Sequence, residues 1–206
     1  VASRKNQLEA TLRQALRDLD ACGCRWALVG GLAVGARAEP RTTRDVDVAI
    51  ATSGDAEAEQ VVHAMLGSGY RMAMAVEQEA VGRLATVRLT TKAGLFVDLL
   101  FASSGIEPEI VAGADSLTVL PRLRAPVASV GHLLAMKVLA RNDRDRPQDA
   151  DDIRELLGVA RTEDLRQARA ALQLITRRGF HRKKRLLAAF DRACETSRRG
   201  KPRRRE

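Results

Sequence analysis

Val29-Gly30-Gly31, thirteen intervening residues, and then Asp45-Val46-Asp47-Val48 form the stretch on which the reading of this chain turns. Two carboxylates two residues apart on a strand project from one face, while the valines between them enter the other. Side by side they repel, so a strand tolerates them only where water bathes the pair or a divalent cation neutralises it. The first condition describes an ordinary wet edge strand. Upstream, Val29-Gly30-Gly31 ends an apolar run over 26–29 and opens a short helical stretch over 32–38, closed by Pro40. At a strand-to-helix turn, glycine lets backbone N–H groups approach a phosphate that a larger side chain would obstruct.

A third acid shifts the balance toward metal. Asp98 interrupts the apolar run Phe96-Val97-Asp98-Leu99-Leu100, and a buried carboxylate costs several kcal/mol unless it is paired or metal-bound. If that strand lies beside the first, roughly 5 Å away, three carboxylates converge. Such a set can hold two Mg²⁺ (or Mn²⁺) ions about 3.5–4 Å apart, the arrangement that supports in-line attack on a phosphoryl group.

Outward from this stretch the chain divides in two. Helical spacing marks 8–19 and 57–66, and strand patterning marks 26–29, 45–51, 70–76, 84–90 and 95–101, with a turn at Lys92-Ala93-Gly94 joining the last two as a hairpin. Weaker strands follow at 117–120 and 125–127. After Ser129, a fitting N-cap, the pattern is helical over 130–141, 147–157, 163–176 and 180–195. The expected fold is α/β (α+β): a mixed sheet flanked by helices over 1–128, a helical bundle over 129–197 and a basic tail over 198–206. At 206 residues and 45% hydrophobic content, the chain can bury one core with a helical appendix. No apolar run reaches the roughly 20 residues of a membrane span. Cys22, Cys24 and Cys194 form no disulfide framework and lack histidines at ligand spacing. A cytoplasmic protein without membrane contact is expected.

The net charge of +9 is unevenly placed: residues 161–206 carry 16 Lys+Arg against 5 Asp+Glu, and residues 1–160 carry 19 against 21. A basic segment of that density attracts polyphosphate, nucleic acid above all, although the last stretch by itself also reads as a solvated tail.

On the helices, Lys137 follows Leu133 by four residues and Asp149 precedes Ile153 by four, which turns both toward apolar faces. A lysine and an aspartate facing inward on successive helices can meet, either as a structural ion pair or with the ammonium group held for phosphate. Arg141, one turn beyond Lys137, with Arg144 and Arg146, adds positive charge that phosphate or solvent would relieve.

The segment from Val29 to Val48, with Asp98 as third acid, resembles the signature of the DNA polymerase β-like nucleotidyltransferase superfamily. Lys137 followed by Gln148-Asp149-Ala150-Asp151-Asp152-Ile153 is similar to the AbiEii and MenT group, the toxins of bacterial toxin–antitoxin systems. Gln148 stands where that group usually has arginine, and Gly31 where many superfamily members have serine. The resemblance implies metal ligation by Asp45, Asp47 and Asp98 and catalytic roles for these three with Lys137 and Asp149. It also implies nucleotide binding by Gly30, Gly31, Arg37, Arg41, Thr43 and Lys137. A nucleoside triphosphate would be the co-substrate, a cognate antitoxin the partner, and the 3′ end of transfer RNA the acceptor, capped so that it cannot be aminoacylated. Arg177, Arg178, Arg182, Lys183, Lys184 and Arg185, expected on basic helices, would hold RNA phosphates. Three rivals stay open: an aminoglycoside-type enzyme acting on a small hydroxyl compound, a non-catalytic nucleic-acid-binding or antitoxin-like protein of the same fold, and nucleotidylation of a protein target.

Overall fold

Period-two patterning in the first part of the chain and period-3.6 patterning in the second produce one sheet and a helical pack against it. The computed structural model describes residues 4–39, 43, 45–79, 81–142 and 148–199. In chain order the elements are α1 (Arg4–Ala21), β1 (Arg25–Leu28), α2 (Gly30–Arg37), β2 (Asp45–Ala51), α3 (Asp55–Gly67), β3 (Arg71–Gln78), β4 (Arg83–Thr90), β5 (Phe96–Leu100), α4 (Glu107–Ala112), β6 (Asp115–Leu120), β7 (Leu123–Val127), α5 (Val130–Ala140), α6 (Gln148–Val159), α7 (Thr162–Arg177) and α8 (Leu186–Arg199).

The seven strands form one mixed sheet in the order β3-β4-β5-β2-β1-β7-β6. β3, β4 and β5 are an antiparallel meander, as the Lys92-Ala93-Gly94 turn predicts. β2 then lies between β5, to which it is parallel, and β1, to which it is antiparallel. Alternation is plain on β4, where Ala85, Val87 and Leu89 are buried and the residues between them are half-buried. The buried set meets Val97 and Leu99 of β5 across the ladder; the other set shares its face with Asp98.

α5 is apolar on nearly every side, and α2, α6, α7 and α8 all pack on it. It begins as expected: Ser129 Oγ accepts from His132 N at 3.2 Å and donates to Gln167 Oε1 of α7 at 2.7 Å. Two residues on, Gly131 brings the two helices close, because a Cβ there would sit 2.6 Å from the Asp164 carbonyl. His132, beside it, is buried with Nδ1 lacking a hydrogen-bond partner among the described residues. Burial pushes its pKa below the ordinary value.

Two sequence expectations need correction. α4 was not anticipated, because its apolar pair Ile106 and Ile110 spans a single turn, too little for periodicity to register. The expected helix over 180–195 starts only at Leu186, and 178–185 is a loop with positive φ at Gly179, Arg182 and Lys183. Between Phe180 and Leu186 no apolar residue falls at helical spacing, and Phe180 instead plugs against Gly105, where a Cβ would lie 2.4 Å from its ring. Pro147, the expected first residue of α6, lies outside the described residues. Among those described, no helix is long and apolar enough to cross a membrane, and the three cysteines are free thiols.

Gly131→Ala should destabilise the protein by about 1–3 kcal/mol in urea denaturation, since backbone rather than a flexible side-chain end blocks the added methyl. For His132, a folded pKa depressed by burial means that its contribution is present above the unfolded value near 6.5 and is lost as pH falls through the folded one. On acidification below about pH 6.5, wild type should therefore lose stability faster than His132→Gln, measured as midpoint against pH.

Candidate active site

β2 carries the alternation that sequence predicts: Val46 and Val48 are buried, and Asp45 and Asp47 are half-buried on the other face. β5 runs beside it in a register that puts Asp98 directly next to Asp47 and Phe96 next to Asp45. The three carboxylates therefore share one face on adjacent strands. On the far side of Asp47, Val29 N donates to the Asp47 carbonyl at 3.0 Å, and Gly30 follows with φ +62. A Cβ on Gly30 would stand 2.0 Å from Asp47 Oδ2. Glycine is required there twice, for the left-handed backbone and for the carboxylate lying over it. α2 starts at this residue with no side-chain cap, so its first N–H groups remain as anion donors beside the acids.

The sequence reading missed Arg88. On β4 it stands opposite Asp98 and grips it with a fork, Nε to Oδ1 at 2.8 Å and Nη2 to Oδ2 at 2.6 Å; Nη2 also lies 3.5 Å from Asp45 Oδ2. The guanidinium carbon sits 4.8 Å from the centroid of the Phe96 ring. The Asp98 hydrogen bonds push the Arg88 pKa up, so the guanidinium stays charged. Hairpin arithmetic held the signal: a hairpin centred on Ala93 pairs position 88 with 98. In a row across β4, β5, β2 and the start of α2 thus stand Arg88, Asp98, Asp47 and Gly30.

A second ionic group lies on the helices. Lys137 of α5 meets Asp149 of α6 at 2.8 Å, as the spacing predicts, and also Asp152 at 2.6 Å, a partner that sequence reasoning left without a role although it sits one helical turn from Asp149. All three side chains are at most 13% exposed, and Asp149 Oδ2 has no hydrogen-bond donor among the described residues. α5 and α6 both pack on α2, the helix that Gly30 begins.

The family described as nucleotidyl transferase AbiEii toxin, type IV TA system, matches residues 14–199. The chain belongs to the AbiEii nucleotidyltransferase toxin family. It has the polymerase β-like nucleotidyltransferase fold, shared with the antibiotic-resistance factor ANT(2'')-Ia at 17% identity and a TM-score of 0.50, covering 96% of this chain and 94% of that one. The lincosamide antibiotic adenylyltransferase LnuA aligns at 16% identity and a TM-score of 0.47, over 74% of this chain and 98% of that chain. A nucleotidyltransferase-like protein from Paracoccidioides brasiliensis aligns at 19% and 0.47, over 88% and 91%. No curated protein matches.

Other residues that the AbiEii resemblance singles out are placed differently. Arg37 is a strut: Nε donates to the Ala128 carbonyl at 2.9 Å, and Nη2 to the Val127 carbonyl at 2.8 Å and to Asp115 at 2.7 Å. These bonds tie α2 to β6 and β7 rather than presenting the guanidinium beside the acids. Thr43 Oγ1 donates to the Asp45 carbonyl at 3.4 Å, at the mouth of β2. Arg41, Arg144 and Arg146 lie outside the described residues. Of the six basic residues over 177–185, three fasten the loop. Arg178 pairs with Glu109 at 2.7 and 3.0 Å and donates to the Gly105 carbonyl. Arg182 donates to the Ser103 carbonyl at 3.0 Å. Lys184 donates to the Leu139 and Arg141 carbonyls at 2.7 and 2.9 Å, capping the end of α5. Arg177, Lys183 and Arg185 are exposed.

Lys137→Met should lower stability by about 3–5 kcal/mol, because it removes the ammonium group that two buried carboxylates share. Chemical denaturation measures this, and Lys137→Met combined with Asp149→Asn and Asp152→Asn should recover much of the loss.

Proposed function

We propose that this protein transfers a nucleoside monophosphate from a nucleoside triphosphate to the 3′ end of transfer RNA, which blocks aminoacylation and hence translation. The observation that carries the reading is the row Gly30, Asp47 and Asp98, in which an uncapped helix start adjoins three carboxylates on one face. The donor set fits a magnesium or manganese ion in chemistry, since all three ligands are hard carboxylate oxygens. It is not arranged for one as it stands: among the described residues no group of three His, Cys, Asp or Glu side chains could hold a metal, and Arg88 takes both oxygens of Asp98. Asp45, Asp47 and Asp98 would hold the ion, which supplies charge neutralisation on the triphosphate and a lowered acceptor pKa.

The chain's own groups do the rest. Backbone N–H groups at Gly30 and Gly31 bind phosphate oxygens, and Lys137, held by Asp149 and Asp152, offsets their charge. Asp98 accepts the proton of the acceptor hydroxyl as its oxygen bonds to the α-phosphorus and pyrophosphate leaves. Positioning and charge neutralisation supply most of the acceleration. The family, a type IV toxin–antitoxin toxin, also implies a cognate antitoxin. A cytoplasmic setting suits that substrate.

The acceptor is argued from charge. Arg177 at the end of α7 and Lys183 and Arg185 in the loop after it are exposed basic residues suited to a polyanion and unsuited to a cationic drug, which would favour an acidic pocket. A small-molecule acceptor, the kind of substrate named for the antibiotic adenylyltransferase above, is the second reading.

With total transfer RNA, Mg²⁺ and each α-labelled nucleoside triphosphate in turn, the wild-type protein should label the RNA, and Asp47→Asn should lower the rate by about a hundredfold or more. No label with any nucleotide, from folded protein, would overturn the RNA reading. Replacing Arg177, Lys183 and Arg185 by glutamine should weaken RNA binding and reduce its salt slope by about one for each phosphate no longer neutralised.

A further inference from the structure

Arg88 lies on the side of the carboxylate row away from Gly30. If the triphosphate occupies the Gly30 end, the acceptor must approach across β4 and β3, whose residues on that face are Thr86, Arg88 and Thr90, with Met74 of the edge strand opposite Arg88. Met74 is 47% exposed and the Arg88 side chain 29%, so this part of the sheet face is open. An acceptor on that path crosses Arg71, opposite Thr90 on the edge strand, and then the cation that grips Asp98.

We propose that Arg88 is an acceptor-sensing residue: its guanidinium competes with the metal for Asp98 and is drawn away by a phosphodiester of the acceptor, so that the Asp98 metal site forms only when a polyanionic acceptor is bound. The inference rests on the nucleotidyltransferase reading and specifies its acceptor class. The geometry of the fork and the chemistry of a guanidinium carry it. The fork engages both Asp98 oxygens and reaches toward Asp45, so a divalent ion between these carboxylates would meet a positive charge within a few ångströms. The guanidinium is also a group that pairs with phosphate in the same planar, two-pronged way as with carboxylate, so release from Asp98 exchanges one fork for another. Phe96 supports the group from below by its ring face. A cationic acceptor offers nothing to take Arg88, and the pairing therefore selects against it.

Manganese binding to the full-length protein, followed by the paramagnetic signal of free Mn²⁺, tests this without turnover. The acceptor probe is an RNA minihelix lacking its terminal hydroxyls, with no nucleotide added; Asp98→Asn serves as the baseline for ions held by RNA itself. The Asp98-dependent site of wild type should tighten about tenfold when the minihelix is added, and Arg88→Met should show that affinity without RNA and change little on its addition. Arg88→Met leaves Asp98 buried without a partner, so its thermal midpoint should fall in chelator and recover with Mn²⁺ more than that of wild type. Should Arg88→Met fail to fold, Arg88→Lys, with a point charge in place of the fork, should lie between the two. Equal Mn²⁺ affinity in wild type and the Arg88 variants overturns the proposal, as does a wild-type affinity that RNA leaves unchanged. Tightening by RNA together with no transfer to RNA bearing its hydroxyls would support the Arg88 switch while sinking the capping reaction.

Discussion

The grip of Arg88 on Asp98 is the interaction on which the rest of the sheet depends. Asp45, Asp47 and Asp98 sit on neighbouring strands with Asp47 and Asp98 in direct register, a placement that repels unless a positive charge is supplied. Arg88 of β4 supplies such a charge to Asp98 and Asp45, and the same ladder that pairs Arg88 with Asp98 aligns Val87 with Leu99 and Leu89 with Val97 in the core. Core packing and charge compensation are two faces of one register, since a slip by one residue would expose the first and bury the second. Gly30 closes the other end, where any side chain would occupy the space of the Asp47 carboxylate.

The helical part repeats the theme with a buried lysine. Lys137 is enclosed with Asp149 and Asp152, and such a cluster is stable only as a set. Because α5 and α6 also pack on α2, the cluster couples the helical pack to the helix that starts at the carboxylate row. A structural ion pair and a positioned phosphate ligand need not be alternatives: two carboxylates that hold an ammonium group rigidly also fix where its charge is presented.

The basic C-terminal region illustrates how composition overstates function. Charge counting treats 177–185 as one patch, yet Arg178, Arg182 and Lys184 are engaged by Glu109 and by carbonyls at Gly105, Ser103, Leu139 and Arg141, the first two while still exposed. They fasten a loop with positive φ at Gly179, Arg182 and Lys183. Arg37 is a parallel case, a cation beside a phosphate-type turn that closes the sheet edge through Val127, Ala128 and Asp115.

By itself the sequence determined the features that depend on local spacing: the two acids on one strand face, the glycine turn before them, the hairpin about Ala93, the cap at Ser129 and the inward lysine of α5. Each follows from a period of 2 or 3.6, or from a turn residue, and needs no knowledge of distant chain. Only the tertiary structure decided that β5 lies beside β2 and in which register, that Arg88 rather than solvent answers Asp98, that Asp152 joins Lys137, and that half of the basic loop is fastened to the body. Those outcomes depend on which surfaces meet, and meeting is set by burial of the whole core, a quantity no short window of residues contains.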